Sequence, residues 1–294
     1  MSAFRCGTIA LAGRPNTGKS SLLNRLVGEK LAIVSPRPQT TRHLVRGVLT
    51  TAECQYVFVD APGWQTRHAG ALNRALNRRA EEAAREADAV LFVVEAMAYG
   101  AEDRAVLARV PASARVVAAV NKVDLVRRAA DLLPFVARLD AERRFEAIVP
   151  VSARTGRNVV ELLKVLRDVL PEGPALYPAE QLTDQDERFF AAEILREKLF
   201  RMLGEELPYR CEVVLDSFRE EGRLRRIEAS IFVERDSQKA IVVGRQGAML
   251  KRIASAARLD MERLFGGRVY LGVWVKVRRD WSDDTRLLKQ LGYA

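Results

Sequence analysis

The stretch GRPNTGKS, Gly13 to Ser20, fits the pattern GxxxxGK[ST]. Glycines in such a loop let backbone N–H groups point inward at phosphate oxygens, and the helix that follows adds its positive end. On this reading Gly13, Arg14, Pro15, Asn16, Thr17, Gly18, Lys19, Ser20 and Ser21 form a phosphate cradle. Lys19 would bridge the outer phosphates and Ser20 would ligate Mg2+. An eight-residue pattern also occurs as a plain turn, so its surroundings decide. Phe4 to Ala12 is a short apolar run that reads as a strand. KSSLLNRLVG after the loop reads as a helix that stops at Gly28.

Further buried-strand runs follow at Val57 to Asp60, Ala89 to Val94, Val116 to Val120 and Ala147 to Val151. Helical stretches such as ALNRALNRRAEEAAREA and VVELLKVLRDVL lie between them. Strands alternating with helices predict a mostly parallel sheet covered on both faces. The pattern ends near Leu170, which sets the first domain at residues 1–170. Pro171, Pro174 and Pro178 then place a linker over 171–183. A second domain, 184–294, begins with Thr183 as the expected cap of a helix over DERFFAAEILREKLFRML. Strands are expected at Arg210 to Ser217 and Leu224 to Glu234. A helical pair broken by GRQG comes next, and Val269 to Val277 reads as the last strand.

Three more motifs each follow a strand. DAPG, Asp60 to Gly63, would place a carboxylate in the shell of a phosphate-bound Mg2+, and the Gly63 N–H could approach a terminal phosphate. NKVD, Asn121 to Asp124 with Lys122 between, carries a carboxylate that can accept two hydrogen bonds from the guanine N1–H and N2–H2 edge. Adenine offers no such pair and would leave Asp124 unpaired. In VSARTG, Ser152 would orient Asp124 and the Ala153 N–H would meet guanine O6. A strand-ending turn or a helix cap explains each motif singly; their order, each behind a strand, does not follow from chance.

With these residues the first domain resembles the translation-factor-related GTPases. The resemblance implies a Mg2+-binding threonine in SPRPQTTRH, which points to Thr41, with Thr40 as the alternative. It also implies that Asp60 reaches the metal through water. One position departs from the Ras-like pattern. Trp64 stands where a glutamine would orient the attacking water, and an indole cannot serve as a base, so Trp64 is assigned packing alone. Related chains with an asparagine at the position of Asn16 often use K+ in place of an arginine finger.

The second domain carries Gly244-Arg245-Gln246-Gly247 between two helices. A GxxG turn there is the mark of a KH domain, and helix-strand-strand-helix-helix-strand is the bacterial, type II, α+β arrangement. Lys251, Arg252 and Arg258 lie off the apolar stripe of Leu250, Ile253, Ala254, Ala257, Met261 and Leu264, and would meet RNA phosphates. From Lys239 to Arg279 there are ten Lys/Arg against Asp260 and Glu262 alone. The net charge of +10 attracts a polyanion without naming one.

The whole chain resembles the Era family of bacterial GTPases of small ribosomal subunit assembly. Stretches that carry this are QTTRH, DAPG, EILREKLFRMLGEELPY, GRQGAMLKRI and DWSDDTRLLKQLGY. The resemblance implies GTP and GDP as ligands, and a segment near the 3′ end of small-subunit (16S) ribosomal RNA and the small subunit as partners, with no DNA. Two other readings use the same residues: a GTPase-gated KH scaffold for a protein, and a GTPase serving RNA modification. The basic window and intact GxxG favour RNA, and no motif for modification is visible.

Other classes find little support. No apolar run approaches the length of a membrane span, and no signal-peptide pattern precedes the loop. Cys6, Cys54 and Cys211 are scattered, which suggests a reducing cytosol. His43 and His68 are too isolated for a metal cluster. A basic protein could touch the inner face of the cell membrane peripherally, although no amphipathic anchor stands out.

Overall fold

The computed structural model describes residues 3–35, 37, 40–64, 70–204 and 206–293. Part of the SPRPQTTRH loop (Pro36, Pro38, Gln39) and His68 lie outside the described residues. The chain divides into two compact units, Met1–Ala69 with Asn73–Asp184, and Gly70–Leu72 with Gln185–Ala294.

In chain order the first unit runs β1 Arg5–Ala12, α1 Lys19–Val27, β2 Val45–Thr50, β3 Cys54–Asp60, α2 Ala71–Glu86, β4 Ala89–Glu95, α3 Ala101–Leu107, β5 Val116–Asn121, α4 Leu132–Asp140, β6 Ala147–Pro150 and α5 Val159–Val169. The sheet order is β2-β3-β1-β4-β5-β6. All neighbours are parallel except β2 against β3. Because β1 sits between β3 and β4, the strand order reverses at its carboxyl end, where ligands of such sheets bind. Residues of β3 are buried along the entire strand, as both-face coverage requires.

Strand β2 was not expected from the sequence. It is antiparallel and half-buried, so its VRGVLT lacks the continuous apolar run that marks the interior strands. Residues 171–183 form no helix and almost no strand pairing, and they are strapped along this unit. Leu182 C=O accepts from the Val48 N–H at 2.8 Å, and the Thr183 hydroxyl donates to Arg46 C=O at 2.6 Å. Gln55, fully buried, holds Leu176 and Tyr177 by their N–H groups. The strap therefore covers the open edge of β2, which a bare edge strand needs.

The second unit runs α6 Glu187–Met202, β7 Glu212–Glu221, β8 Leu224–Val233, α7 Asp236–Val243, α8 Ala248–Phe265, β9 Arg268–Val277 and α9 Thr285–Gln290. Its sheet is β7-β8-β9, with β7 antiparallel and β9 parallel to β8. The cap of α6 is Asp186, whose carboxylate accepts from the Phe189 N–H at 2.8 Å, and not Thr183, whose hydroxyl is spent on the strap. Residues Phe190 to Phe200 of α6 are nearly all buried, charged ones included. Arg196 pairs with Glu193 through two contacts of 2.8 and 2.5 Å, as buried charges must. The C-terminal stretch buries Trp281, Leu287, Leu288 and Tyr293, and the Tyr293 hydroxyl donates to the Glu212 carboxylate at 2.8 Å.

On α8 the buried residues are Ile253, Ala257, Met261 and Phe265. The expected stripe is corrected at its end: Leu264 is exposed. Phe265 takes the inward position, edge-on to Phe218 and beneath the Arg225 guanidinium.

Candidate nucleotide site and nucleic-acid interface

The loop between β1 and α1 closes on itself. Gly13 carries φ +152, and a Cβ there would lie 2.4 Å from Val93 C=O. Gly18 carries φ +96, and its Cβ would lie 2.3 Å from Asn121 Nδ2. Neither position admits a side chain. Asn121 Nδ2 donates to Thr17 C=O at 2.8 Å, and Asn121 Oδ1 accepts the Ala153 N–H at 3.0 Å. One buried side chain thus ties the phosphate loop to the segments after β5 and β6. The Ala153 N–H, assigned to guanine O6 from the sequence, is engaged by Asn121 here, so the base would have to share that donor.

Lys19 is buried and donates to Gly13 C=O and Arg14 C=O, each at 3.0 Å. Burial pushes its ammonium down to about 8, with Asp60 opposing the shift and Arg14 adding to it. A buried ammonium hydrogen-bonded to carbonyls gains further from an anion beside it. Gly63 faces this group: a Cβ on it would sit 3.1 Å from Lys19 Nζ.

Three oxygens converge next to Lys19. Ser20 Oγ donates to Asp60 Oδ2 at 2.6 Å. Ser20 Oγ and Thr41 Oγ1 are 2.9 Å apart, and Thr41 Oγ1 donates to Asp60 Oδ2 at 3.3 Å. Thr40 turns elsewhere, onto Ser35 Oγ and Arg37 C=O. Two hydroxyls and one carboxylate are a hard, all-oxygen donor set, which fits Mg2+ completed by water and phosphate oxygens. Among the described residues no cluster of His, Cys, Asp and Glu could hold a metal by itself. The three cysteines are buried and in no disulfide.

At the far end of the site Ser152 donates to Asp124 Oδ1 at 2.5 Å. Arg154 Nε donates to Asp124 Oδ2 at 2.8 Å. The Ser152 hydrogen bond leads in holding the Asp124 carboxyl below its usual range, and Arg154 adds to it. Arg154 was not singled out from the sequence. The signal was its place directly after VSA in the motif expected to orient Asp124. Lys122 pairs with Glu95 at 2.7 Å. Asn16 is exposed with φ +65. Trp64 is 3 % exposed and packs in the core cluster with Phe92, Val94 and Val120, in keeping with a packing role. Arg14, Pro15 and Ser21 are half-buried around the same loop.

The GxxG turn in the second unit is built differently. Gly244 has φ +71, and a Cβ there would meet Met249 Cβ at 2.7 Å. Gly247 has φ +79 and caps α8, with nothing within 4 Å of its would-be Cβ. Arg245 and Gln246 are exposed, and Gln246 adopts φ +52. Lys251 and Arg252 are exposed on the first turns of α8. One glycine packs the turn; the other leaves backbone open to an incoming phosphate.

Comparison with known proteins agrees with a GTPase unit followed by a KH domain. Residues 8–122 match the family model described as 50S ribosome-binding GTPase, and residues 206–282 match the KH domain model. The chain is 47 % identical over 292 residues to GTPase Era of Nitrosomonas eutropha, covering 99 % of each. It is 49 % identical over 289 residues to GTPase Era of Chromobacterium violaceum, covering 98 % of each. Among solved structures it is similar to an Aquifex aeolicus Era variant bound to GDP·AlF4−, with TM-score 0.95, 34 % identity and coverage of 99 % and 100 %. It is equally similar to an Era in complex with MgGDPNP and nucleotides 1506–1542 of 16S ribosomal RNA, with TM-score 0.94, 34 % identity and 99 % coverage of each chain. The chain belongs to the Era family of GTPases.

Proposed function

We propose that this chain is a GTP-hydrolysing switch that binds 16S ribosomal RNA near its 3′ end and acts in assembly of the small ribosomal subunit. The observation that carries the reading is the pairing, in one chain, of a closed phosphate loop braced by Asn121 with a GxxG turn whose Gly247 backbone is open. A relative solved with MgGDPNP and nucleotides 1506–1542 of 16S ribosomal RNA supports the choice of nucleotide and RNA.

In this reading the loop residues Gly13 to Ser21 hold the phosphates and Lys19 meets the outer ones. Ser20 and Thr41 hold Mg2+ directly and Asp60 through water; the metal adds positive charge where negative charge builds on the phosphates. The Gly63 N–H faces the terminal phosphate. Asn121, Lys122, Asp124, Ser152 and Ala153 surround the guanine. Trp64 is locked in the core and orients no water, so charge between the β- and γ-phosphates must be met by another group. The Asn16 amide oxygen would hold K+ there. Gly244 to Gly247 lay the RNA backbone on the turn, with Lys251 and Arg252 on its phosphates, while GTP turnover in the cytoplasm sets when the RNA is held.

Crosslinking the protein to RNA in cells and sequencing what it retains tests the proposal. Reads concentrated at the 3′ end of 16S ribosomal RNA are expected. Reads spread over unrelated RNAs would overturn it.

A further inference from the structure

The sheet of the second unit has two faces of different character. Along β9, Val269 and Val275 point to the face covered by α6 and α8 and are buried. Arg268, Tyr270, Trp274 and Lys276 alternate with them and are exposed. Tyr270 is 46 % and Trp274 48 % exposed, high values for rings of that size in a sheet. Register places Arg226 beside Tyr270, and the Arg226 guanidinium lies 4.6 Å over the Tyr270 ring. Trp274 reaches back across Gly272, where a Cβ would come 2.9 Å from the indole Cη2. The glycine lets the indole lie against the strand and present its other face to solvent.

Charge distinguishes this stripe from the rest of the face. Along β9 the charged residues are Arg268 and Lys276, both basic. The acids of the same face lie on β7 and β8 and are engaged. Asp216 takes the Ser230 hydroxyl at 2.5 Å and Lys276 at 3.6 Å. Glu221 pairs with Arg226 at 3.3 Å, and Glu228 takes the Ser217 hydroxyl. Two exposed rings on a strand that carries Arg268 and Lys276 and no acid of its own offer what unpaired bases and their phosphates require. A membrane contact would call for aliphatic bulk, and the stripe has none.

We infer that the open face along β9 is a second contact for single-stranded RNA, separate from the GxxG turn. One base stacks on Trp274 and another on the Tyr270–Arg226 pair, while Arg268 and Lys276 meet phosphates. The inference rests on the RNA reading of the GxxG turn, so the test separates the two. Only one of the three tryptophans is exposed: Trp64 and Trp281 are 3 % and 0 % exposed, so accessible indole emission reports on Trp274.

The full chain is titrated with a short RNA of about four nucleotides, the length a GxxG loop clamps, and with a several-fold longer RNA of the same 3′ sequence. The longer RNA is expected to bind more tightly and to shield the indole from acrylamide; the short one is not expected to shield it. Trp274→Leu keeps apolar cover over Gly272 but removes the ring. It should lower affinity for the long RNA about tenfold and leave the short RNA unchanged, and Trp274→Phe should recover most of the loss. Indole shielding in the unaltered chain stands as evidence even where the leucine variant folds poorly. Equal binding by Trp274→Leu with an unshielded indole would overturn the inference while the GxxG reading stands. Shielding that follows protein concentration instead of RNA would overturn it in favour of self-association. Failure of the unaltered chain to bind either RNA would overturn both.

Discussion

Two glycine turns in this chain open onto the first turn of a helix, and they are built in opposite ways. The loop before α1 is satisfied from within. Lys19 donates to the loop's own carbonyls, Asn121 ties it to two other segments, and a side chain at Gly13 or Gly18 would strike protein. The turn before α8 leaves Arg245 and Gln246 exposed, and space is open around Gly247. The first arrangement selects. A base that cannot pair with Asp124 beside this loop would leave that carboxylate without its ligand partner, at a cost of about 1–3 kcal/mol and more for a charge. The second arrangement only admits. It can take any sugar-phosphate backbone, and sequence preference must come from surfaces beside it.

That contrast can be broken at several strengths. Asp124→Asn should act most strongly, weakening GTP on the order of 10³-fold or more and shifting preference toward XTP, whose ring carbonyl suits an amide donor. Affinities for GTP, ATP and XTP check this; an unchanged GTP affinity would show that Asp124 does not read the base. RNA binding measured without nucleotide should be unaffected. Next in size, hydrolysis should be faster in potassium than in sodium at equal ionic strength, and Asn16→Ala should abolish the difference, a loss of about 10² in rate. Trp64→Phe, which keeps the core filled, should preserve it. Equal rates in the two salts would return Asn16 to a purely conformational role.

A smaller effect follows from Lys19. Burial pushes its ammonium down to about 8, and bound phosphates would favour the charged form. Above that pH the free protein holds fewer protons than the complex. GTP affinity should therefore be level below neutrality and fall as pH rises through 8, approaching tenfold per unit. Calorimetry in buffers of different ionisation heat should register proton uptake on binding in that range, and no uptake would contradict the assignment. The smallest effect belongs to Arg154. Its pairing with Asp124 is largely exposed on the arginine side, 72 %, and such pairs contribute at most about 1 kcal/mol. Arg154→Ala should change GTP affinity by less than about fivefold, measured by nucleotide titration.

Legibility in the sequence divides along the same line. The first unit was readable because each chemical motif follows a continuous apolar strand, so period and motif reinforce one another. The edge strand β2 escaped because Arg46 and Gly47 interrupt its apolar run, although only Arg46 is exposed. The proline-dense 171–183 was readable as irregular chain, but its role as the cover of β2 depends on Gln55 and Val48, far away in sequence. Helix α6 shows the same limit. Its charges suggest a solvated face, yet Glu193 and Arg196 neutralise each other inside, and the cap lies at Asp186. The C-terminal residues Trp281 and Tyr293 are core, fixed by contacts with Arg210 and Glu212 that no local pattern announces. In the nucleotide site the residue types were readable, and Thr41, to which the resemblance points, is the threonine beside Ser20, whereas Arg154 against Asp124 emerges only from geometry.

The most direct test is the affinity of Gly247→Asp for a single-stranded fragment from the 3′ end of 16S ribosomal RNA, with GTP hydrolysis measured on the same preparation. A carboxylate placed in the open space around Gly247 would meet the incoming phosphate. The account predicts a loss of RNA affinity on the order of 10² with hydrolysis nearly intact. Wild-type RNA affinity in this variant would contradict it.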